Sequence, residues 1–161
     1  MTEFADAAAL GSLLKRKSLT LAVAESCTGG LVGAAVTSVS GSSDYFRGGV
    51  IAYSNNIKHE ILGVPIYDLE KYGAVSGQVV CAMAYGAAKL FKCDCSVSVS
   101  GIAGPGGGTK EKPVGLVYFG SFFRGQTQSC SFVFNGSREE VRAQSVRAAL
   151  DFLIGIINKD E

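Results

Sequence analysis

Apolar and polar positions follow two periods along this chain, and the alternation between them sets out the elements. Residues 3–16 place apolar side chains at 4, 8, 10, 13 and 14, the stripe of an amphipathic helix ending in Lys15-Arg16-Lys17. Residues 19–24 form a short unbroken apolar run, which predicts a buried strand. Small residues dominate 28–39 and predict a helix packed tightly on a sheet. Ser40-Gly41-Ser42-Ser43-Asp44 reads as a loop. Residues 49–53 predict a second buried strand, followed by a helix capped by Ser54 and carrying Ile57, Ile61 and Leu62. Gly63-Val64-Pro65 ends that helix, and a short one is expected before Gly73.

Ser76 caps a predicted helix over 77–91, with Val79, Val80, Met83, Ala87 and Leu90 facing inward. Residues 96–100 alternate Ser and Val as a strand and run into a glycine-rich loop, 101–113. The segments 114–123 and 128–134 flank Arg124-Gly125-Gln126 and predict a hairpin. Ser137 caps a long final helix whose buried side holds Val141, Val146, Ala149, Leu150 and Leu153.

Strands alternating with helices imply parallel strands joined by right-handed crossovers, and the later hairpin adds antiparallel pairing. The expected fold is α/β: a three-layer α/β/α sandwich on a mixed, mainly parallel sheet, in one domain over 1–161. Ligands in such folds bind beyond the carboxyl ends of the parallel strands. The loops 25–30, 54–58 and 101–113 meet that description.

Composition removes several function classes. Of 161 residues 47% are hydrophobic and 18% charged, which excludes intrinsic disorder. A formal net charge of +1 leaves no basic footprint for nucleic acid and no polybasic membrane patch. The uncharged stretches are broken by Gly, Ser or Thr, so no membrane span is expected, and the N-terminus lacks the build of a signal peptide. Five cysteines without a Cys-x-x-Cys pair, and a single histidine, do not make a usual zinc set. A cytoplasmic location, reduced thiols, no metal and no cofactor are expected. Open strands of a small mixed sheet favour a homo-oligomer.

Ser26 follows a strand and precedes a helix, so its hydroxyl faces a helix amino end and backbone N–H groups. That suits a nucleophile whose adduct becomes an oxyanion. The plainer reading is that Ser26 or Thr28 is an N-cap, and a phosphate would fit the same groups. Lys58 is the candidate base, because a partly buried lysine can lose its proton near neutral pH, and Ser–Lys pairs are an alternative to the triad. Tyr53 could orient that lysine or relay a proton. His59 reads as a surface or packing residue. The loop glycines 101, 104, 106, 107 and 108 fit neither a Walker A nor a dinucleotide-binding pattern, but they allow close approach to an anion or a flat amide. Lys110 and Lys112 touch a phosphate or keep the loop soluble. Arg138 and Arg142, one turn apart, could clamp a carboxylate or phosphate; with Glu139 and Glu140 alongside, a salt-bridged surface competes.

Four blocks together resemble the CinA C-terminal domain family, the amidohydrolase domain of competence/damage-inducible proteins. They are Ala24-Glu25-Ser26-Cys27-Thr28-Gly29-Gly30; Gly48-Gly49-Val50-Ile51-Ala52-Tyr53-Ser54-Asn55 with Lys58 and Leu62-Gly63-Val64; Ser100-Gly101-Ile102-Ala103-Gly104-Pro105-Gly106-Gly107 through Lys112-Pro113-Val114-Gly115; and Asn135-Gly136-Ser137-Arg138 with Val141-Arg142. The resemblance runs in order from about residue 5 to residue 157. It implies a nicotinamide-nucleotide amidohydrolase, which hydrolyses the carboxamide of nicotinamide mononucleotide to nicotinate mononucleotide and ammonia. It assigns the nucleophile to Ser26, the activating lysine to Lys58 and its tyrosine partner to Tyr53. Backbone N–H groups around Thr28, Gly29 and Gly30 would then hold the oxyanion. Ser43, the loop with Ser100, Gly101, Gly104, Gly106 and Gly107, and Arg138 and Arg142 would hold the ribose phosphate and ring.

Ser100 departs from the threonine usual in the family, keeping the hydroxyl and losing the methyl, which bears on substrate positioning more than on chemistry. Larger members carry a further N-terminal domain resembling molybdopterin-binding proteins; 161 residues leave no room for it, and its activity is not carried over. Two other readings stay open: a non-catalytic nucleotide-binding or interaction domain of the same fold, and a different amidohydrolase with the same machinery.

Overall fold

The computed structural model describes residues 5–160, so Phe4 of the first stripe lies outside the described residues. At its centre is one five-stranded sheet in the order β2-β1-β3-β4-β5. The strands are β1 (Leu21–Glu25), β2 (Phe46–Ile51), β3 (Cys95–Gly101), β4 (Leu116–Phe123) and β5 (Gln126–Val133). β1 pairs in parallel with β2 and β3, while β3–β4 and β4–β5 are antiparallel. The mixed sheet is therefore evenly divided between two parallel and two antiparallel pairings, rather than mainly parallel.

Period-two alternation sends successive β1 side chains to two cores. Leu21 and Val23 join the face covered by α1 (Ala5–Lys17), α2 (Leu31–Thr37) and α6 (Arg138–Asn158), whereas Ala22 and Ala24 face α5 (Gly77–Phe91). The α5 face is packed through small residues. Ser96 and Ser98 of β3 donate hydroxyl hydrogen bonds to the Ala84 and Val80 carbonyls, and a Cβ on Gly120 would lie 2.2 Å from the Val80 oxygen. The helix backbone thus rests almost directly on the strands. The short α3 (Asn55–Glu60) and α4 (Ile66–Tyr72) connect β2 to α5.

Several local expectations shift. In α1, Ala7, Leu10, Leu13 and Leu14 are buried, and Ala8 is exposed. α5 covers the expected 77–91 with Ser76 as its cap, but Leu90 is 51% exposed. The inward position one turn beyond Ala87 belongs to Phe91, whose ring packs over Gly48. Val146 of α6 is only partly buried. β2 is an edge strand with alternating half-buried and exposed residues rather than a buried run, because no strand among the described residues pairs with it beyond β1. The hairpin turn is tighter than expected: Phe123 pairs with Gln126 across Arg124 and Gly125, both with positive φ, as a two-residue turn between twisted strands requires.

Candidate active site

The carboxyl ends of β1 and β2 lie side by side, so the turn after β1 and the segment after β2 meet. Ser26 ends up buried at the tip of β1, its N–H donating to the Val99 carbonyl of β3 at 2.9 Å. After β2, Ser54 caps α3 by accepting from the Ile57 N–H at 3.2 Å. One turn of helix then aims Lys58 back toward the sheet. Its side chain is 1% exposed, with Nζ donating to Ser26 Oγ at 3.0 Å, to the Ala52 carbonyl at 2.8 Å and to the Tyr53 carbonyl at 3.2 Å.

Burial disfavours the ammonium form and lowers the Lys58 pKa from 10.5 to about 8. A neutral amine has two N–H bonds and one lone pair. With both N–H bonds held by the two carbonyls, the lone pair is left for the Ser26 hydroxyl proton. The arrangement can therefore run in either sense: Lys58 donates when charged and accepts when neutral. The neighbouring Cys27 is a poor rival nucleophile, since burial pushes its thiol up to about 11 and keeps it protonated at neutral pH. His59 is turned elsewhere, its Nδ1 meeting the Val64 carbonyl at 2.8 Å.

Tyr53 holds the lysine through its main chain. Tyr53 itself is 64% exposed.

The helix amino end expected to face Ser26 is already filled. Glu25, 2% exposed, accepts from the Val32 N–H at 2.9 Å, the Gly33 N–H at 3.0 Å and the Thr28 hydroxyl at 2.6 Å. α2 consequently begins at Leu31, not at 28, and its N-cap position is Gly30 at φ 107°, so neither Ser26 nor Thr28 is the cap. The anion that satisfies this helix is the protein's own carboxylate. Donors nearer Ser26 remain. In the turn itself Gly29 N–H donates to the Ser26 carbonyl at 3.1 Å, whereas the N–H groups of Thr28 and Gly30 meet no acceptor among the described residues.

The third loop is drawn in by α6. Arg138 donates to the Gly104 carbonyl at 2.9 Å, and Arg142 donates to the Cys27 carbonyl at 3.1 Å and the Thr28 carbonyl at 3.3 Å. Both arginines thus spend donors on loop backbone, neither on Glu139 nor Glu140, and Glu140 instead completes a capping box with Ser137. Ser100 is buried at the end of β3 and Gly101 pairs with Val117. Gly104 is buried at φ +84°, while Gly106 and Gly107 are exposed on the loop. Lys112 bonds the Tyr72 carbonyl and ties this loop to α4.

Ser43 is not brought to this place. It sits exposed in the turn Ser42–Asp44, before β2 begins, and parallel pairing puts that turn at the amino end of the strands. The whole of β2 separates it from Ser26 within one copy of the chain. Glu25 is the residue that sequence reasoning passed over as part of a motif. Its signal was an acidic side chain at the end of an otherwise apolar strand, just before a helix. A groove of about 590 Å³ between β5 and α6, lined by Cys130, Phe132, Phe134 and Phe152 among others, shares no residue with the dyad.

Comparison with known proteins identifies the family and the fold. The family description "CinA C-terminal domain" matches residues 4–157. The chain belongs to the CinA C-terminal domain family. A CinA-like protein of Rippkaea orientalis is 52% identical over 150 residues, covering 91% of this chain and 36% of that protein. The chain thus spans about a third of the length of the curated relatives it matches. Among solved structures, the competence/damage inducible protein CihA from Agrobacterium tumefaciens superimposes with a TM-score of 0.93 at 38% identity, covering 98% of this chain and 96% of that one. A CinA superfamily protein from Klebsiella pneumoniae gives 0.94 at 32% identity, with 99% of each chain covered. No helix among the described residues is long and apolar enough to cross a membrane.

Proposed function

We propose that this domain is an amidohydrolase of Ser–Lys type whose substrate is the exocyclic carboxamide of nicotinamide mononucleotide. The observation that carries the reading is the buried Lys58 amine 3.0 Å from Ser26 Oγ, its pKa lowered to about 8. The choice of substrate rests on the resemblance of the four sequence blocks to nicotinamide-nucleotide amidohydrolases.

In this reading neutral Lys58 takes the Ser26 proton as Oγ bonds to the carboxamide carbon. The resulting oxyanion is met by backbone N–H groups of the 28–30 turn. The Lys58 ammonium then protonates the departing nitrogen, the C–N bond breaks, and ammonia leaves an acyl ester on Ser26. Water attacks that ester with Lys58 again as base, releasing the carboxylate and returning the proton to Oγ. Tyr53 orients the amine through its carbonyl, and this reading assigns its phenol to bound substrate. This reading assigns the ring and phosphate to Ser100, the 101–107 loop and the donors left on Arg138.

The test is ammonia release from nicotinamide mononucleotide by purified protein without added metal. Turnover in wild type that vanishes in Ser26→Ala, with melting temperature nearly unchanged, is the expected result. Equal turnover in Ser26→Ala would overturn the mechanism, and no turnover in wild type would overturn the substrate.

A further inference from the structure

Two consecutive peptides of the turn after Ser26 are held differently. The carbonyl of the 28–29 peptide accepts from the Leu31 N–H at 3.0 Å as well as from Arg142, and its N–H donates to the Ser26 carbonyl. That peptide is fixed by the turn itself. The 27–28 peptide is not. Its carbonyl accepts from Arg142 Nε at 3.1 Å and from no other described residue, and its N–H, that of Thr28, has no acceptor among them. A trans peptide is planar with its C=O and N–H pointing in opposite directions. Drawing the Cys27 carbonyl toward α6 therefore turns the Thr28 N–H away from α6.

We propose that Arg142 is a positioning residue: by gripping the Cys27 carbonyl it aims the Thr28 N–H at the oxyanion formed on Ser26. The inference rests on the Ser–Lys reading above and adds to it a group that touches neither nucleophile nor base. The guanidinium suits the task because its planar fork spans the Cys27 and Thr28 carbonyls together, which a lysine ammonium does not. Gly29 makes room for it: at φ +58° its absent Cβ would lie 3.4 Å from Arg142 Nη2. With Nε and Nη2 engaged, Arg142 is less a phosphate clamp than the brace of a catalytic turn. Arg138, one helical turn earlier, binds the Gly104 carbonyl, so α6 carries one brace for each loop.

The experiment compares wild type, Arg142→Ala and Arg142→Lys with two probes. One is turnover of nicotinamide mononucleotide; the other is acylation of Ser26 by 4-nitrophenyl acetate, followed by intact mass. Loss of one aimed oxyanion donor lowers the rate roughly a hundredfold. Arg142→Ala is expected to lose that much in kcat and in ester acylation, with KM little changed. The pH midpoint near 8 stays, because Lys58 is untouched. Added methylguanidinium restores much of the loss, Arg142→Lys recovers little, and amide exchange at Thr28 accelerates in both variants.

A raised KM with kcat intact, or unchanged ester acylation, would overturn the inference and make Arg142 a substrate ligand or a bystander. Should Arg142→Ala fail to fold, Arg142→Lys decides: wild-type acylation there overturns the proposal. Wild type that acylates at Ser26 but leaves the mononucleotide intact removes the substrate and still tests Arg142. Wild type that does not acylate at Ser26 overturns both.

Discussion

Glu25 at the end of β1 and Lys58 on α3 are both almost fully buried, 2% and 1% exposed, within one corner of the molecule. The pockets around them differ in kind. Around Glu25 every partner is a donor: two backbone N–H groups of α2 and the Thr28 hydroxyl. The carboxylate is satisfied by donors that all belong to fixed local structure, and the helix amino end is neutralised. Around Lys58 two partners are carbonyls, but the third is a hydroxyl, which can give a proton as readily as accept a hydrogen bond. A buried charge surrounded by fixed partners is structural, whereas one whose partner can reverse roles is chemical. The two regions also cooperate, since Glu25 holds Thr28 and the start of α2, and so the turn on which Ser26 sits.

The sharpest way to break this contrast is Lys58→Met. Removal of a general base costs about 10²–10⁴-fold in rate, and the rising limb of the pH–rate profile near pH 8 should vanish with it. A profile identical to wild type would make Lys58 a mere packing residue.

The next effect is on stability against pH. Lys58 has a folded value of about 8 and an ordinary value of 10.5, so between them the unfolded chain binds more protons than the native one. Unfolding free energy should therefore rise as pH climbs through that window, by up to about 3 kcal/mol, relative to Lys58→Met. Urea titrations at about pH 7.5 and about pH 10.5 measure it. A difference between the two proteins that does not change with pH would contradict the lowered value.

Glu25→Gln should act in the opposite manner, destabilising by about 2 kcal/mol because one N–H or the Thr28 hydroxyl loses its charged acceptor. Its pH–rate midpoint should stay with wild type; a shifted midpoint would mean the two pockets are one electrostatic unit. The smallest effect belongs to His59→Gln, expected to keep turnover within about twofold, since the ring serves the Val64 carbonyl and a surface exchange changes little. A loss on the scale of Lys58→Met would bring the histidine back as the base.

How much of this was readable in the sequence depends on how local each cause is. The bounds of α5 were legible because Ser76 and an apolar helical stripe are neighbours in sequence, and the capped start of α6 likewise. The apolar run of β2 does not reveal its edge position, because such a run states what a strand is made of, not what lies beside it. Its edge position follows from chain topology, with Gly48 and Gly49 admitting Phe91 and Val23. The Ser–Val alternation of β3 marked a strand, but not that Ser96 and Ser98 would be buried under α5, where each hydroxyl finds a helix carbonyl.

The candidate site was legible as a set of residues rather than as a geometry. Ser26 and Lys58 are 32 positions apart, and only parallel pairing of β1 with β2 brings them together. The family resemblance groups Ser43 with them, whereas the same parallel pairing sends it to the far end of the sheet. For Arg138 and Arg142 the sequence offers a clamp or a surface salt-bridged to Glu139 and Glu140, and neither names their backbone partners, which lie 34 and 115 residues away, beyond any local pattern.

The most direct test of the central claim is an NMR titration of the lysine side chains, with Lys58→Met used to assign the signal. A Lys58 resonance titrating near pH 8 and absent from the variant is the predicted result. A Lys58 resonance that titrates with the solvent-exposed lysines, at about 10.4, would mean the amine stays charged beside Ser26 and could not take its proton.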